Sequence, residues 1–542
     1  MSRPLPPRSS MRPPEATLKR LLPLALAGAL AAAGAHAQTL RWASQGDPQT
    51  MDPHSQNESM TNMMNGQVYE GLVARDRKLG LVPSLAVSWQ QVSPLLWRFK
   101  LRPNVRFHDG TPFSADDVVF SIVRGQQPSS QINNYATAVG TPRKVDELTV
   151  EFALSAPNPI FLEHMAGPLW ILSKRWCEAH NVVKPLDYKN KEETFASVNA
   201  NGTGPYMLVS RAPGIKTTYK RNPAYWGKID GNVQEIVFTP IGNDATRTAA
   251  LVSGELDFVL DPAPRDVARL RSTPGVKVID GPENRILFIG MDHGRDELLY
   301  SSVKGKNPFR DLRVRRALYQ AIDIGTIKSK LMNGQSAPTG GMTPSPLGAY
   351  EDPELEKRLP FDLAAARKLM ADAGYGDGFE VQLDCPNNRY INDESICIAL
   401  AAMWAQLKVK VKVVAQPRAT YFPKLEKYDF SMYMLGWGGA VTDAETTLTP
   451  VMRNNLGDKG VGFYNYGRSR NDKLDALAAQ SSVEADPVKR KELVKAALRE
   501  HQEQIITLPL HRQVIPWAAR SNVTVVHRPD NWFEVAWVTI GK

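Results

Sequence analysis

The chain has 542 residues, of which 42% are apolar and 23% charged. That is a soluble, folded composition, too long for one core and unlike a disordered or fibrous chain. The formal net charge of +10 falls to +6 once the first 37 residues, with five basic side chains and one acidic, are set aside. The remaining charge is scattered, with no basic tract that could track phosphates, which argues against a nucleic-acid partner.

The first element is a targeting segment. Arg12, Lys19 and Arg20 precede an apolar run from Leu21 to Ala33, and Ala35-His36-Ala37 follows as a small-x-small site. The run is short for a membrane span and reads as a signal peptide over 1–37, cleaved after Ala37. The stretch ahead of it is long, basic and proline-rich, so Met11 offers an alternative start. Export to the periplasm is expected.

Trp97-Arg98-Phe99-Lys100-Leu101 alternates apolar and basic residues as a half-buried strand does. His108 to Pro112 is a turn. Ser114 and Asp117 form a capping box that opens a helix. The loop Asn201 to Pro205 leads into strands up to about Pro240. A helix from about Thr246 ends at Gly254. The polar stretch 293–307 reads as a crossing between two units. Asp311 then caps a helix with the buried stripe Val314, Ala317, Leu318, Ala321 and Ile322.

Residues 361–435 are the most legible. Asp362 caps a helix that Gly374 ends. Phe379, Val381 and Leu383 alternate in a strand, and a helix follows from about Asp393 to Leu407. Val409, Val411 and Val413 form a second strand, Ala419 to Glu426 a short helix, and Asp429 to Leu435 a third strand. This order predicts a mostly parallel sheet with right-handed crossovers. The loop 385–392 with Arg389, and the stretch Gly436-Trp437-Gly438-Gly439-Ala440-Val441-Thr442-Asp443, should leave carboxyl ends of strands on one edge. Ligands bind at such edges. A tryptophan among glycines can bring backbone and an indole face close to a guest. The last helix starts at Asp486-Pro487 and runs to about Gln504. The final strands can return to the first unit.

No catalytic or nucleotide-binding motif is found: no GxSxG, HExxH, P-loop or GxGxxG. His108 and His164 read as satisfied or surface histidines, and Asp116 and Asp117 as charges suited to a helix start. No metal site and no cofactor are expected. Cys385 and Cys397 either clip a strand end to the next helix or stay thiols, and Cys177 reads as a buried free thiol.

Four stretches together resemble the family 5 solute-binding proteins of bacterial ABC importers, of the dipeptide- and oligopeptide-binding type. They are Phe99 to Ser121 ("FKLRPNVRFHDGTPFSADDVVFS") behind Pro83-Ser84-Leu85-Ala86 and Trp89; "GTGPY" at 202–206 with "RNPAYWG" at 221–227; "PFRDLRVRRALYQAID" at 308–323; and Tyr428-Asp429-Phe430 running into Gly436-Trp437. The resemblance implies an α/β fold of two hinged lobes, the periplasmic-binding-protein fold of the class II, cluster C type. Lobe I would be 38–292 plus 514–542, with an extra subdomain at about 83–203, and lobe II 293–513. It implies a monomeric, non-enzymatic protein. Such a protein captures a peptide or peptide-like, carboxylate-bearing solute and hands it to a heterodimeric permease driven by cytoplasmic ATPases.

Relatives of that type hold the ligand carboxylate with an arginine, here matched by Arg389, and its ammonium with an aspartate three residues after the tryptophan. That position is Ala440. Asp443 or Glu445 could replace the missing acid, or the guest lacks an ammonium. Trp437, Gly438, Gly439 and Ala440 are expected at the pocket, and Asn57, Ser59, Met60 and Met63 to line it from the loop Met51 to Asn65. Within this class the guest could instead be a nickel complex, haem or a glutathione-like compound. From other classes, a secreted hydrolase or a periplasmic chaperone-like protein remains open.

Overall fold

The computed structural model describes residues 38–190, 192–343, 352–438, 443–457 and 461–541. All that follows lies within one compact unit, Thr39–Lys542. The segment 1–37 and residues Gly439 and Ala440 lie outside the described residues.

In chain order, β1 (Thr39–Ser44) is followed by the helix Ser59–Asn65 and the hairpin of β2 (Val73–Arg75) and β3 (Leu81–Pro83). Next come β4 (Ala86–Ser93), β5 (Leu96–Leu101), the helix Ala115–Gly125, β6 (Thr141–Asp146) and β7 (Thr149–Ala153). Strands β4–β5–β7–β6 make a separate antiparallel sheet with its own apolar core, built around Phe99, Phe152 and Phe161. The predicted capping box is present: Ser114 and Asp117 bond reciprocally at the start of the Ala115–Gly125 helix.

The chain then returns to the large sheet, begun by β1, through β8 (Tyr206–Ala212), β9 (Lys216–Arg221), β10 (Glu235–Pro240), β11 (Phe258–Val259) and β12 (Val276–Met291). It adds β13 (Ser336–Pro338), β14 (Glu380–Pro386), β15 (Lys410–Gln416), β16 (Met432–Gly438) and β17 (Leu508–Arg520). The spatial order is β15–β14–β16–β12–β17–β11–β1–β10–β9–β8, with β13 on β17. The predicted strands of 379–435 do pair in parallel, β14 with both β15 and β16. Asp311 and Asp362 cap their helices as expected, and Gly254 closes the helix Asp244–Ser253 at φ 84°. That positive φ is open to glycine at little cost.

Two expectations are corrected. The stretch 51–65 is not all loop. Its second half is the Ser59–Asn65 helix, capped by the Glu58 side chain accepting from the Thr61 amide. The third strand runs past Leu435, because β12 supplies pairing partners for Gly436, Trp437 and Gly438. Trp437 and Gly438 therefore end a strand and do not stand in the loop beyond it.

The long strands β12 and β17 join the two halves of the sheet. Their register is regular from Val276↔Arg520 to Pro282↔Val514, then breaks and resumes at Ile286↔Arg512. Glu283, Asn284 and Arg285 bulge at that break. A bulge bends and re-aims a strand. This one sits where the sheet passes from the β11–β1 side to the β16–β14 side, ahead of the dividing line predicted at 293.

Candidate functional site

A cavity of about 770 Å³ opens between the two halves of the sheet. One wall comes from residues 56–84, the 166–170 segment and the 528–537 segment, and the other from β16, Tyr390 and Tyr464. Asn57, Ser59, Arg389, Trp437 and Gly438 line it. Met60 does not: its side chain is buried in the core and borders a smaller neighbouring cavity.

Arg389 is placed by its own loop. Asn392 takes φ 58°, and Asp393, the first residue of the next helix, accepts from the amides of Arg389 and Tyr390 at 2.9 and 3.0 Å. The Tyr390 hydroxyl accepts from the Gly436 amide at 2.7 Å, fixing the loop to β16. The Cys385–Cys397 disulfide brackets the same loop, while Cys177 is a buried free thiol.

The Arg389 guanidinium meets an internal acid, Glu58. Its Nε lies 3.1 Å from Glu58 Oε1, and Arg418 Nη1 lies 2.9 Å from the same oxygen. Burial pushes the Glu58 carboxyl up. Arg418, Arg389 and the Thr61 amide overcome it and hold the group at about 2. Burial likewise lowers Arg389, against the pull of Glu58. Arg285, on the bulge, donates to Glu283 and to Ser59 Oγ, both at 2.7 Å. Three guanidiniums thus gather around Glu58 and Glu283, and Arg418 also acts electrostatically on the buried carboxyls of Asp261 and Asp393. Neither terminal nitrogen of Arg389 donates to another described residue, although its side chain is only 11% exposed. A planar donor fork with spare N–H groups facing a cavity suits a carboxylate.

The glycines beside Trp437 serve the protein itself. A Cβ on Gly436 would lie 2.5 Å from the Tyr390 ring, and one on Gly438 would lie 1.7 Å from the Asn284 carbonyl oxygen. The close approach read from the sequence is therefore to a ring and to a crossing strand. Trp437 donates Nε1–H to the Thr446 carbonyl at 2.8 Å and packs 4.8 Å from the Tyr464 ring.

Neither acid offered in place of Ala440 lines the cavity. Asp443 accepts both terminal nitrogens of Arg490, at 2.8 and 2.7 Å. Glu445 is buried, accepts from Thr449, and is pushed up to about 7 by burial. The acids that do line the cavity include Glu70, Glu426 and Glu534. Glu70 accepts from Tyr225, Trp226 and Thr203, each at 2.8 Å. His108 and His164 face a backbone carbonyl and an asparagine amide. Among the described residues no His, Cys, Asp and Glu side chains converge as a metal site.

Sequence reasoning missed Glu58, Arg285 and Arg418. Glu58 carried a signal: an acid three residues before Thr61 can cap a helix. Arg418 carried none, since only folding brings it to Glu58.

The model described as Bacterial extracellular solute-binding proteins, family 5 Middle, matches residues 80–458. Heme-binding protein A of Haemophilus influenzae is 27% identical, covering 84% of this chain and 82% of its own. The dipeptide-binding protein of Escherichia coli is also 27% identical, covering 88% and 89%. An ABC transporter-associated periplasmic binding protein from Helicobacter pylori, solved with the peptide STSA, superposes with a TM-score of 0.82 at 22% identity. The match covers 93% of this chain and 98% of that one. The two chains share one fold.

Proposed function

We propose that this chain, which belongs to the bacterial extracellular solute-binding proteins of family 5, captures a peptide-like solute through a carboxylate held by Arg389. Its fold is the two-lobed α/β fold of periplasmic binding proteins. The observation that carries the reading is the Arg389 guanidinium, nearly buried, half neutralised by Glu58 and with its terminal donors open to the cavity. A carboxylate entering there would gain charge-assisted bonds strengthened by exclusion of water.

In this reading the protein performs no chemistry on the solute. Its lobes divide near the β12 bulge and its counterpart at Arg512–Val514 on β17. A guest that binds the closed form more tightly than the open one shifts the population toward closure. The closed form would then be offered to a permease heterodimer with cytoplasmic ATPases. Asn57, Ser59 and Trp437 are assigned to the pocket. Asp443, held by Arg490, is not.

The test is native mass spectrometry of the protein purified without denaturation, with identification of what unfolding releases. A released carboxylic acid is expected. Arg389→Ala should weaken its rebinding at least about thirtyfold, as truncating one partner of a buried charge pair does. A guest without a carboxylate, or unchanged affinity in Arg389→Ala, would overturn the reading.

A further inference from the structure

The apolar part of the cavity is made of rings. Among the described residues, twelve of the 46 that line it are Phe, Tyr or Trp, in a chain that is 8% aromatic, and the large aliphatic side chains are only Val73, Val82 and Leu435. Among the described residues no methionine lines it. A pocket meant for varied aliphatic side chains would be expected to carry Leu, Ile and Met, which reshape around many guests.

The rings are arranged in pairs on opposite walls. Trp170 and Trp532 pack at 5.9 Å on the first wall, and Trp437 and Tyr464 at 4.8 Å on the second. Both pairs are tilted, at 44° and 48°, so the partners are not stacked face to face. All three tryptophans are half-buried. Offset-stacked and edge-on contacts with an aromatic guest are favourable beyond the area they bury.

Size and charge narrow the guest further. A volume of about 770 Å³ is in the range that encloses a drug-sized molecule, and exceeds what one ring needs. At one end the Arg389 guanidinium meets Glu58 through Nε, while its terminal nitrogens donate to no other described residue and so offer a site for one carboxylate. We infer that the guest is a multi-ring aromatic monocarboxylate, held between the Trp170–Trp532 wall and the Trp437–Tyr464 wall with its carboxylate at Arg389. This rests on the carboxylate reading above and adds the class of the rest of the molecule.

Calorimetry with N-acetyl-phenylalanyl-phenylalanine, its C-terminal amide, and N-acetyl-leucyl-leucine tests it. The leucine peptide matches the acid in charge and is apolar, but has no rings. The aromatic acid should bind about tenfold tighter than the leucine acid, from ring contacts on two walls. Trp437→Leu should cut that preference at least threefold, and so should Trp170→Leu, which changes the other wall and guards against a folding defect in the first. Equal affinities, no binding of the aromatic acid, or a preference unchanged in both variants would overturn the inference. The amide separates the two readings. If it binds as tightly as the acid, the carboxylate reading fails while the ring class stands. If both acids bind equally and both depend on Arg389, the carboxylate reading stands and the ring class fails.

Discussion

Arg389 is already paired with Glu58 in the structure, so any guest carboxylate must share it. Arginine at 389 was legible from its loop and its place after a parallel strand. Its partner was not, because Glu58 lies more than 300 residues away in sequence, and pairing across such a distance leaves no local pattern. Glu445 shows the opposite case. As an acid two residues from Asp443 it reads as a candidate ligand group, yet it is buried, and among the described residues only Thr449 donates to its side chain. Its folded value of about 7 stands above its ordinary value of 4.5. For a carboxyl raised on folding, the cost is absent below the ordinary value and grows as pH rises through the window up to about 7. Glu445→Gln should therefore leave stability at pH 4 nearly unchanged and raise it at pH 8 by about 1–3 kcal/mol. Thermal denaturation at the two pH values measures this, and an equal shift at both would count against it.

Among elements, the β14–β15–β16 unit was legible because each strand alternates and each helix carries its own cap. The end of β16 was not, because its last residues pair with β12, some 150 positions earlier, and the sequence alone reads them as loop. The Ser59–Asn65 helix was missed for a different reason. Ser, Asn, Thr and three methionines give no apolar period, and the helix is held by burial and by one acidic cap. Gly438 shows what long-range pairing demands of a single position. Its missing side chain leaves room for the Asn284 carbonyl of the bulge. Gly438→Ala should destabilise the protein by about 1–3 kcal/mol or more, since backbone on both sides must move. Urea unfolding reads this directly, and a change below about 0.5 kcal/mol would mean the bulge yields freely.

Across the whole molecule, the two sides of the cavity are also tied by polar contacts outside the sheet. Glu58 is clasped by Arg389 and Arg418, Asn57 donates to Tyr464 at 3.3 Å, and Tyr464 donates to the Gln131 carbonyl at 2.8 Å. Removing the Glu58 charge takes from the buried Arg389 and Arg418 the carboxylate they share, which costs about 3–5 kcal/mol. Opening relieves that cost by returning them to water. Glu58→Gln should thus show a larger radius of gyration than the parent in small-angle scattering without added solute, at unchanged circular dichroism. An identical scattering profile would show that closure does not depend on this clasp. The sequence led to an expectation of two lobes through the change of character near residue 293 and the late return of the chain. The place where they join was not legible, because a bulge is a fact of register between two distant strands.

The bond between Cys385 and Cys397 encloses the segment that carries Arg389, Tyr390 and Asn392. Closing that ring removes freedom the open chain would otherwise have, so the arginine's position is set in part by the oxidation state of its surroundings. Outside the cell membrane the ring forms and persists. In reducing cytosol it does not. On the reading proposed above, the same polypeptide would hold its arginine ready for a guest in an oxidising compartment and hold it slackly in a reducing one.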